Sequence, residues 1–404
     1  MTKTSPSTPL SDHDVVIMAA KRTPIGAFQG ALSALRAFQL GSIAIEGALE
    51  AATVIPADVH EVIMGCVLSA GVGQAPARQA AIGAGIPNAI PCTTINKVCG
   101  SGMKAVMLAC DQVRLDLGRI MVAGGMESMT NAPYLLDRAR SGYRLGHGKV
   151  VDHLLYDGLE DPYHAGRVMG SFAEDTAAHF HFTRQDQDAY AMESFHRVQL
   201  ATSKGYFEKE MIPLDLVNGK NRLQIHQDET PSKVKIDKIP HLKPAFRADG
   251  TVTAANSSAI ADGAAAVVMM SAGEAQRLGL SPMAVVRGYV SHAQEPEWFT
   301  TAPIAAIEKL LKKLNWSLEE VDLFEINEAF AVVTMSAMKK MAIPHEKVNI
   351  WGGATALGHP LGASGARILV TLLHSLEQTD LKKGIAALCI GGGEATAIAV
   401  ERIG

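Results

Sequence analysis

The chain has 404 residues, 48% of them hydrophobic and 19% charged, enough apolar material for large cores and roughly two or three domains. A formal net charge of −4 argues against a general nucleic-acid binder, while leaving room for a local basic patch that meets an anionic ligand. Five cysteines, with no CxxC pair, argue against a disulfide framework or a zinc site and point to a reducing compartment. The opening MTKTSPSTPLSDHD carries no export or organelle pattern, and the apolar run Ala264–Met270 has the length of a buried strand, so we expect a cytoplasmic protein without membrane spans.

Buried-strand candidates come in chain order at 14–20, 61–68, 119–125, 263–270, 283–290, 321–327, 385–393 and 395–403. Helical patterns alternate with them at 40–52, 102–115, 303–314 and 366–376, which together read as an α/β fold with mixed sheets. Two stretches resemble each other. A helix with Ile45-Glu46 leads through Ala57-Asp58-Val59 to the strand at 61; a helix with Ile307-Glu308 leads through Glu319-Glu320-Val321 to the strand at 321. Each is followed by a Ser-Gly helix start (Ser101-Gly102, Ser364-Gly365) and a strand that runs into glycines. A duplicated α/β unit explains this, and its period is far too long for a solenoid. Between the units, about 131–250 is polar with short apolar runs and one amphipathic helix, 184–204; it reads as an insertion that returns at Asp249-Gly250. The expected division is 12–130 plus 251–281, then 131–250, then 282–404.

Chemistry concentrates in the glycine-rich turns. In NKVCGSGMKA, Cys99 precedes a helix start, where free amides and the helix dipole favour thiolate and can hold an oxyanion. His359, in LGHPLG, is held by flanking glycines and Pro360, so its ring can be aimed to take the Cys99 proton and form a thiolate–imidazolium pair. Cys389 ends a strand ahead of Gly391, Gly392 and Gly393 and suits an acid/base at carbon. Asn327 ends another strand, where its amide can hold a water for an enolate oxygen; the alternative is a turn or cap asparagine. Glu328 is either structural or orients His359. Cys66, Cys92 and Cys110 read as structural, and His60, His153, His164 and His292 lack any such setting.

Taken together, NKVCGSGMKA, GGMESM (124–129), NEAFA (327–331), GHPLGASGAR and CIGGG resemble the thiolase family, in matching order from about Val15 to the end. The resemblance implies a five-layer α/β/α/β/α core from two like halves, an inserted loop domain over the site, and a homotetramer (a dimer of dimers) or a dimer. It implies Cys99 as the acylated nucleophile, Cys389 as acid/base at the substrate α-carbon, His359 as the catalytic histidine and Asn327 as the holder of an oxyanion-hole water. The backbone N–H groups of Cys99 and Gly391 correspond to the second oxyanion hole. Acyl-CoA thioesters are the implied substrates, with coenzyme A as substrate and product, and no further cofactor or metal. Within the family, the stretch 242–265 resembles the biosynthetic type, which condenses two acetyl-CoA to acetoacetyl-CoA. On that resemblance Ser258 meets the pantetheine amides, Phe246 forms a wall for coenzyme A, Met169 lines the acyl pocket, Phe330 lines the pantetheine tunnel and Phe299 stands at its mouth.

One departure is Val168, where several biosynthetic relatives carry a histidine. Independently of the resemblance, Lys220, Arg222, Lys233, Lys235, Lys238, Lys243 and Arg247 outnumber nearby acids, which suits a phosphate-bearing ligand; a solvated lysine-rich loop is the plainer alternative. Rival functions are a degradative 3-ketoacyl-CoA thiolase of broader chain length, a cysteine hydrolase using Cys99, His359 and Asn327, and a non-catalytic binder of coenzyme A or lipid.

Overall fold

A computed structural model describes residues 10–218 and 221–403; Lys220 of the basic stretch and the first nine residues lie outside them. Apolar alternation along the strands sorts the core into layers. In the strand Val15–Arg22, Val15 and Ile17 enter one apolar cluster while Val16 and Met18 enter another. In Ala261–Ser271 the odd-numbered Ala265, Val267 and Met269 share the first cluster, and Ala264, Ala266, Val268 and Met270 the second. Lys383–Ile390 divides likewise, with Leu388 and Ile390 facing the first cluster and Ala387 and Cys389 a third.

The first cluster is the central layer, built around the helices Ser101–Leu115 and Leu361–Thr379, which touch both halves of the sheet. Helices Ala37–Ala52 and Pro76–Gly83 cover one outer face, and Ala302–Leu314 with Ala331–Met341 the other. The result is five layers, α/β/α/β/α. Every residue from Leu361 to Leu376 is buried, so truncating a central leucine such as Leu369 to alanine should cost about 2–5 kcal/mol.

The duplication is visible in the pairing. Glu61–Gly65 runs parallel to Cys92–Ile95 and to Met121–Ser128, which pairs antiparallel with Ala261–Ser271, itself antiparallel to Val15–Arg22. In the second half Leu323–Ile326 runs parallel to Lys383–Ile390, which pairs antiparallel with Glu394–Arg402, itself antiparallel to Ala284–Ala293. A parallel bridge from Phe324 to Val348 stands where the first half has Cys92–Ile95. The halves join where Val16 and Ile17 pair with Val285 and Ala284.

One helix differs from expectation. The sequence reading begins it at 364–366, but it starts at Leu361, so Gly362 and Gly365 are helical. Their role is close approach. A Cβ on Gly102 would lie 2.9 Å from the Gly362 carbonyl oxygen, and one on Gly365 would lie 2.5 Å from the Met103 nitrogen. The two central helices therefore cross backbone to backbone at their first turns, which no sequence rule that treats glycine as a helix breaker anticipates. In the polar segment 131–250 the expected helix spans Arg184–Ser203, but it is not amphipathic, since its buried face includes Gln187, Asp188 and Ser194; it is joined by a shorter helix, Met169–Phe180, and a hairpin, Leu214–Asn218 with Asn221–Ile225. No helix among the described residues is long and apolar enough to cross a membrane.

Candidate active site

Cys99 stands one residue before the N-cap Gly100 of the helix Ser101–Leu115. The turn that presents it is strained: Val98 adopts φ 46°, a left-handed conformation that a β-branched residue rarely takes. Ser101 holds the strain in place. Its hydroxyl donates to the Val98 carbonyl at 2.7 Å and accepts from the Lys97 amide at 2.8 Å. A side chain on Gly100 would collide with Ile390, so the Cys99 turn lies directly against the end of the strand that carries Cys389.

The two cysteines therefore stand on abutting turns. The Gly391 and Cys99 amides favour a thiolate at Cys99, and the charge of such a thiolate would raise the Cys389 thiol further. Both groups are neutral at rest, contrary to the expected thiolate at position 99. Burial pushes the Cys99 thiol up to about 11, and the amides of Gly391 and Cys99 recover only part of that cost. Burial likewise holds Cys389 well above the ordinary thiol range.

His359 sits at the head of the other central helix, beyond the N-cap Pro360. Burial, helped by the nearby Arg367 guanidinium, lowers it to about 3, so the resting pair is thiol and neutral imidazole rather than thiolate and imidazolium. Its Nδ1 lies 2.5 Å from the Ser364 hydroxyl, which also reaches the Pro360 carbonyl at 2.8 Å. With the hydroxyl proton on that carbonyl, Nδ1 is the donor, and Nε2, buried and without a protein partner, keeps the lone pair. A neutral acceptor of this kind is what a general base needs.

Asn327 follows the strand Leu323–Ile326, and its backbone N–H bonds the Ala387 carbonyl, two residues before Cys389. Its side-chain Nδ2 lies 3.5 Å from His359 Nδ1, and Arg367 Nη2 donates to its Oδ1 at 3.5 Å. Glu328 does not orient His359. Tyr190, Ser194, Asn349 and the Thr355 amide all donate to its carboxylate, which ties the helix Arg184–Ser203 to the second half.

The apolar candidates gather around Cys389. Phe330, Phe299 and Cys389 share one cluster, with Met169 and Phe246 packed against it. Phe246 meets Phe330 edge-on at 6.0 Å, and a Cβ on Gly391 would lie 3.2 Å from Met169 Sδ. Ser258 Oγ donates to the Ala329 carbonyl at 2.9 Å, beside the bridge between Ser257 and Phe330. Phe299 is 3% exposed and edge-on to Phe172, so it belongs inside a wall and not at a mouth, because the aromatic packing closes over it.

Three residues of the site escaped the sequence reading. Ser364 and Arg367 lie in GHPLGASGAR, five and eight residues beyond His359, but only the helical geometry turns them back toward it. Glu127 lies within GGMESM. Its buried carboxylate accepts from the amides of Val67, Leu68 and Gly362, fixing the loop after Glu61–Gly65 to the head of the His359 helix. Burial pushes it up to about 7, against the pull of those amides. Cys66 Sγ is 3.8 Å from it, and burial with that carboxylate keeps the thiol protonated. No cluster of three His, Cys, Asp or Glu side chains able to hold a metal occurs among the described residues.

Two family profiles match nearly the whole chain: "Thiolase, N-terminal domain" over residues 15–273 and "Thiolase, C-terminal domain" over residues 280–402. Acetyl-CoA acetyltransferase 2 of Arabidopsis thaliana is 50% identical over 395 residues, 97% of this chain and 98% of that protein. The acetyl-CoA acetyltransferase of Cupriavidus necator is 47% identical over 391 residues, 96% and 99%. Among solved structures, the Bacillus anthracis acetyl-CoA acetyltransferase superposes with a TM-score of 0.94 at 40% identity, covering 97% of this chain and 99% of that one. The Acat5 thiolase of Ascaris suum, solved in complex with coenzyme A, gives 0.91 at 42% identity, covering 96% and 100%.

Proposed function

We infer, from the premise that this chain belongs to the thiolase family, that it is an acetyl-CoA C-acetyltransferase, an acyltransferase that condenses two acetyl-CoA reversibly to acetoacetyl-CoA and coenzyme A. The observation that carries the reading is that Gly100, next to Cys99, packs directly against Ile390, the residue between Cys389 and Gly391. That contact suits an acyl enzyme with a second thiol at hand, and a cysteine hydrolase would leave Cys389 without a task.

In the proposed cycle, His359 Nε2 takes the Cys99 proton as the sulfur attacks the acetyl carbonyl. The oxyanion rests on the N–H groups of Cys99 and Gly391. The carbon–sulfur bond to coenzyme A breaks, and the departing sulfur receives the proton from His359. With Cys99 capped as a thioester, Cys389 passes its proton to the neutral imidazole and removes an α-proton from a second acetyl-CoA. The enolate oxygen is held by a water on Asn327 and by His359. The carbanion attacks the thioester, and the Cys99 sulfur leaves and recovers its proton from His359. Coenzyme A is thus substrate and product.

In this reading Ser258, Phe246, Met169, Phe330 and Phe299 enclose the pantetheine and acyl group, and 131–250 forms a loop domain between the halves 12–130 plus 251–281 and 282–404. The clustering of Met169, Phe246 and both phenylalanines with Cys389 supports it. A homotetramer, as a dimer of dimers, is part of the proposal: Tyr134, Leu136, Leu145, Val150, Tyr156 and Tyr163 are all exposed on one segment, and Cys92–Ile95 is a free sheet edge. So is a cytoplasmic location, supported by five free cysteines.

Incubation with labelled acetyl-CoA followed by peptide mapping tests nucleophile and substrate together. Label is expected on Cys99; label elsewhere, or none, would overturn the assignment. A longer-chain degradative thiolase is the second reading, and thiolysis rates that rise with acyl length would favour it.

A further inference from the structure

We propose that Arg167 and Arg247, bridged by Asp175, form an anion clamp for the phosphates at the nucleotide end of coenzyme A. The inference rests on the acyl-CoA reading above and names residues that neither the motifs nor the catalytic geometry require.

The clamp lies on the helix Met169–Phe180 and the loop that faces it. Arg167 Nη2 and Arg247 Nη2 bond the two oxygens of the Asp175 carboxylate at 2.7 and 2.6 Å. Arg167 Nε also reaches Ser171 Oγ at 3.2 Å, and Arg247 Nη2 reaches the Ser171 carbonyl at 3.0 Å. The Arg167 guanidinium sits over the Phe172 ring, 3.7 Å from its centroid. Burial would raise the Asp175 carboxyl, yet the bonds from Arg247 and Arg167 outweigh it and hold it below its ordinary value.

Two guanidinium groups share the one Asp175 carboxylate, and the side chains of Arg167 and Arg247 remain 32% and 40% exposed. An ion pair that served only to tie helix to loop needs one arginine. Two, sharing one acid and still open to solvent, have donors left for a ligand. Their positions connect the clamp to the site: Arg167 is two residues from Met169 and Arg247 adjoins Phe246, both packed on the cluster that holds Cys389. Further along the same loop Lys235, Lys238 and Lys243 are exposed and enter no ion pair among the described residues. The chain therefore sets cationic side chains close to the apolar cluster that holds Cys389, as a thioester on a long arm ending in phosphates requires.

The test is steady-state thiolysis of three substrates, acetoacetyl-CoA, its 3′-dephospho analogue and acetoacetyl-pantetheine, with wild type, Arg247→Gln, Arg247→Lys and Arg167→Gln. Arg247→Gln is the decisive variant, since its side chain is exposed and folding is not at stake. Its KM for acetoacetyl-CoA should rise by about tenfold, the size expected for loss of a charge-assisted hydrogen bond, with kcat unchanged and partial rescue by Arg247→Lys. The pantetheine substrate should show no change. If the penalty persists on the dephospho analogue, the clamp holds the pyrophosphate; if it vanishes there, it holds the 3′-phosphate. An unchanged KM, or an equal rise on the pantetheine substrate, would overturn the proposal. Failure of the wild type to cleave acetoacetyl-CoA would sink the acyl-CoA reading itself, and is told apart from failure of the clamp because it needs no variant.

Discussion

The two halves of the chain carry the same run of elements and finish it with different chemistry. Glu61–Gly65 in the first half and Leu323–Ile326 in the second are each followed by one polar residue, Cys66 and Asn327. Cys66 faces the Glu127 carboxylate, which together with burial keeps its thiol protonated and inert. Asn327 faces His359 and Arg367. The central helices diverge likewise, since aligning their Ser-Gly pairs sets Gly362 opposite Cys99. In one copy that position carries the sulfur. In the other it is an amide that Glu127 binds, and the imidazole of His359 stands three residues upstream. A duplicated scaffold thus gives two helix heads that abut, one presenting a thiol and the other an imidazole, the acid and base of the proposed mechanism.

The largest test of this division is to remove one sulfur at a time. Cys99→Ser should lose acylation and condensation together, by on the order of a thousandfold or more. Cys389→Ser should still take label from acetyl-CoA while condensation falls by roughly 10²–10⁴, the range of general acid–base catalysis. Normal condensation by the second variant would mean that the strand end of the second half has no proton to move.

A smaller effect sharpens the electrostatic side. A thiol held near 11 has a thiolate fraction that grows tenfold per pH unit below that value, so iodoacetamide labelling of Cys99 in the free enzyme should climb about a hundredfold between pH 7 and 9. A plateau near pH 7 would instead indicate a preformed ion pair with His359. The smallest effect concerns the crossing. Gly102→Ala and Gly365→Ala each place a methyl against backbone of the opposing helix, and each should cost about 1–3 kcal/mol in urea unfolding. If only one of them destabilises, the crossing is less symmetric than the pairing of strands.

What could be read from the amino acids alone was whatever local pattern encodes. Cys99, His359, Cys389 and Asn327 sit in turns marked by glycine or by a strand's end, and the repeat itself shows in Ile45-Glu46 and Ile307-Glu308. What could not be read depends on burial and on partners distant in the chain. The helix head at Leu361 was misplaced because Gly362 and Gly365 look like breakers until a second helix is laid across them. The protonation states were inverted because a helix N-terminus favours thiolate only where water or a cation offsets desolvation, and Cys99 is buried. Glu127 was passed over because its three amide partners come from segments 59 to 235 residues away.

The distance in sequence between Cys99 and Gly391 has a bearing on biosynthesis. A nascent polypeptide carries the sulfur long before the strand end that packs against its turn exists, and Glu394–Arg402 must pair before the turn between them can hold its shape. Under the proposed mechanism acetyl transfer cannot begin on a partly made chain, and truncation by as few residues as Glu394–Arg402 should leave a polypeptide with the proposed nucleophile present and the proposed oxyanion donor unplaced.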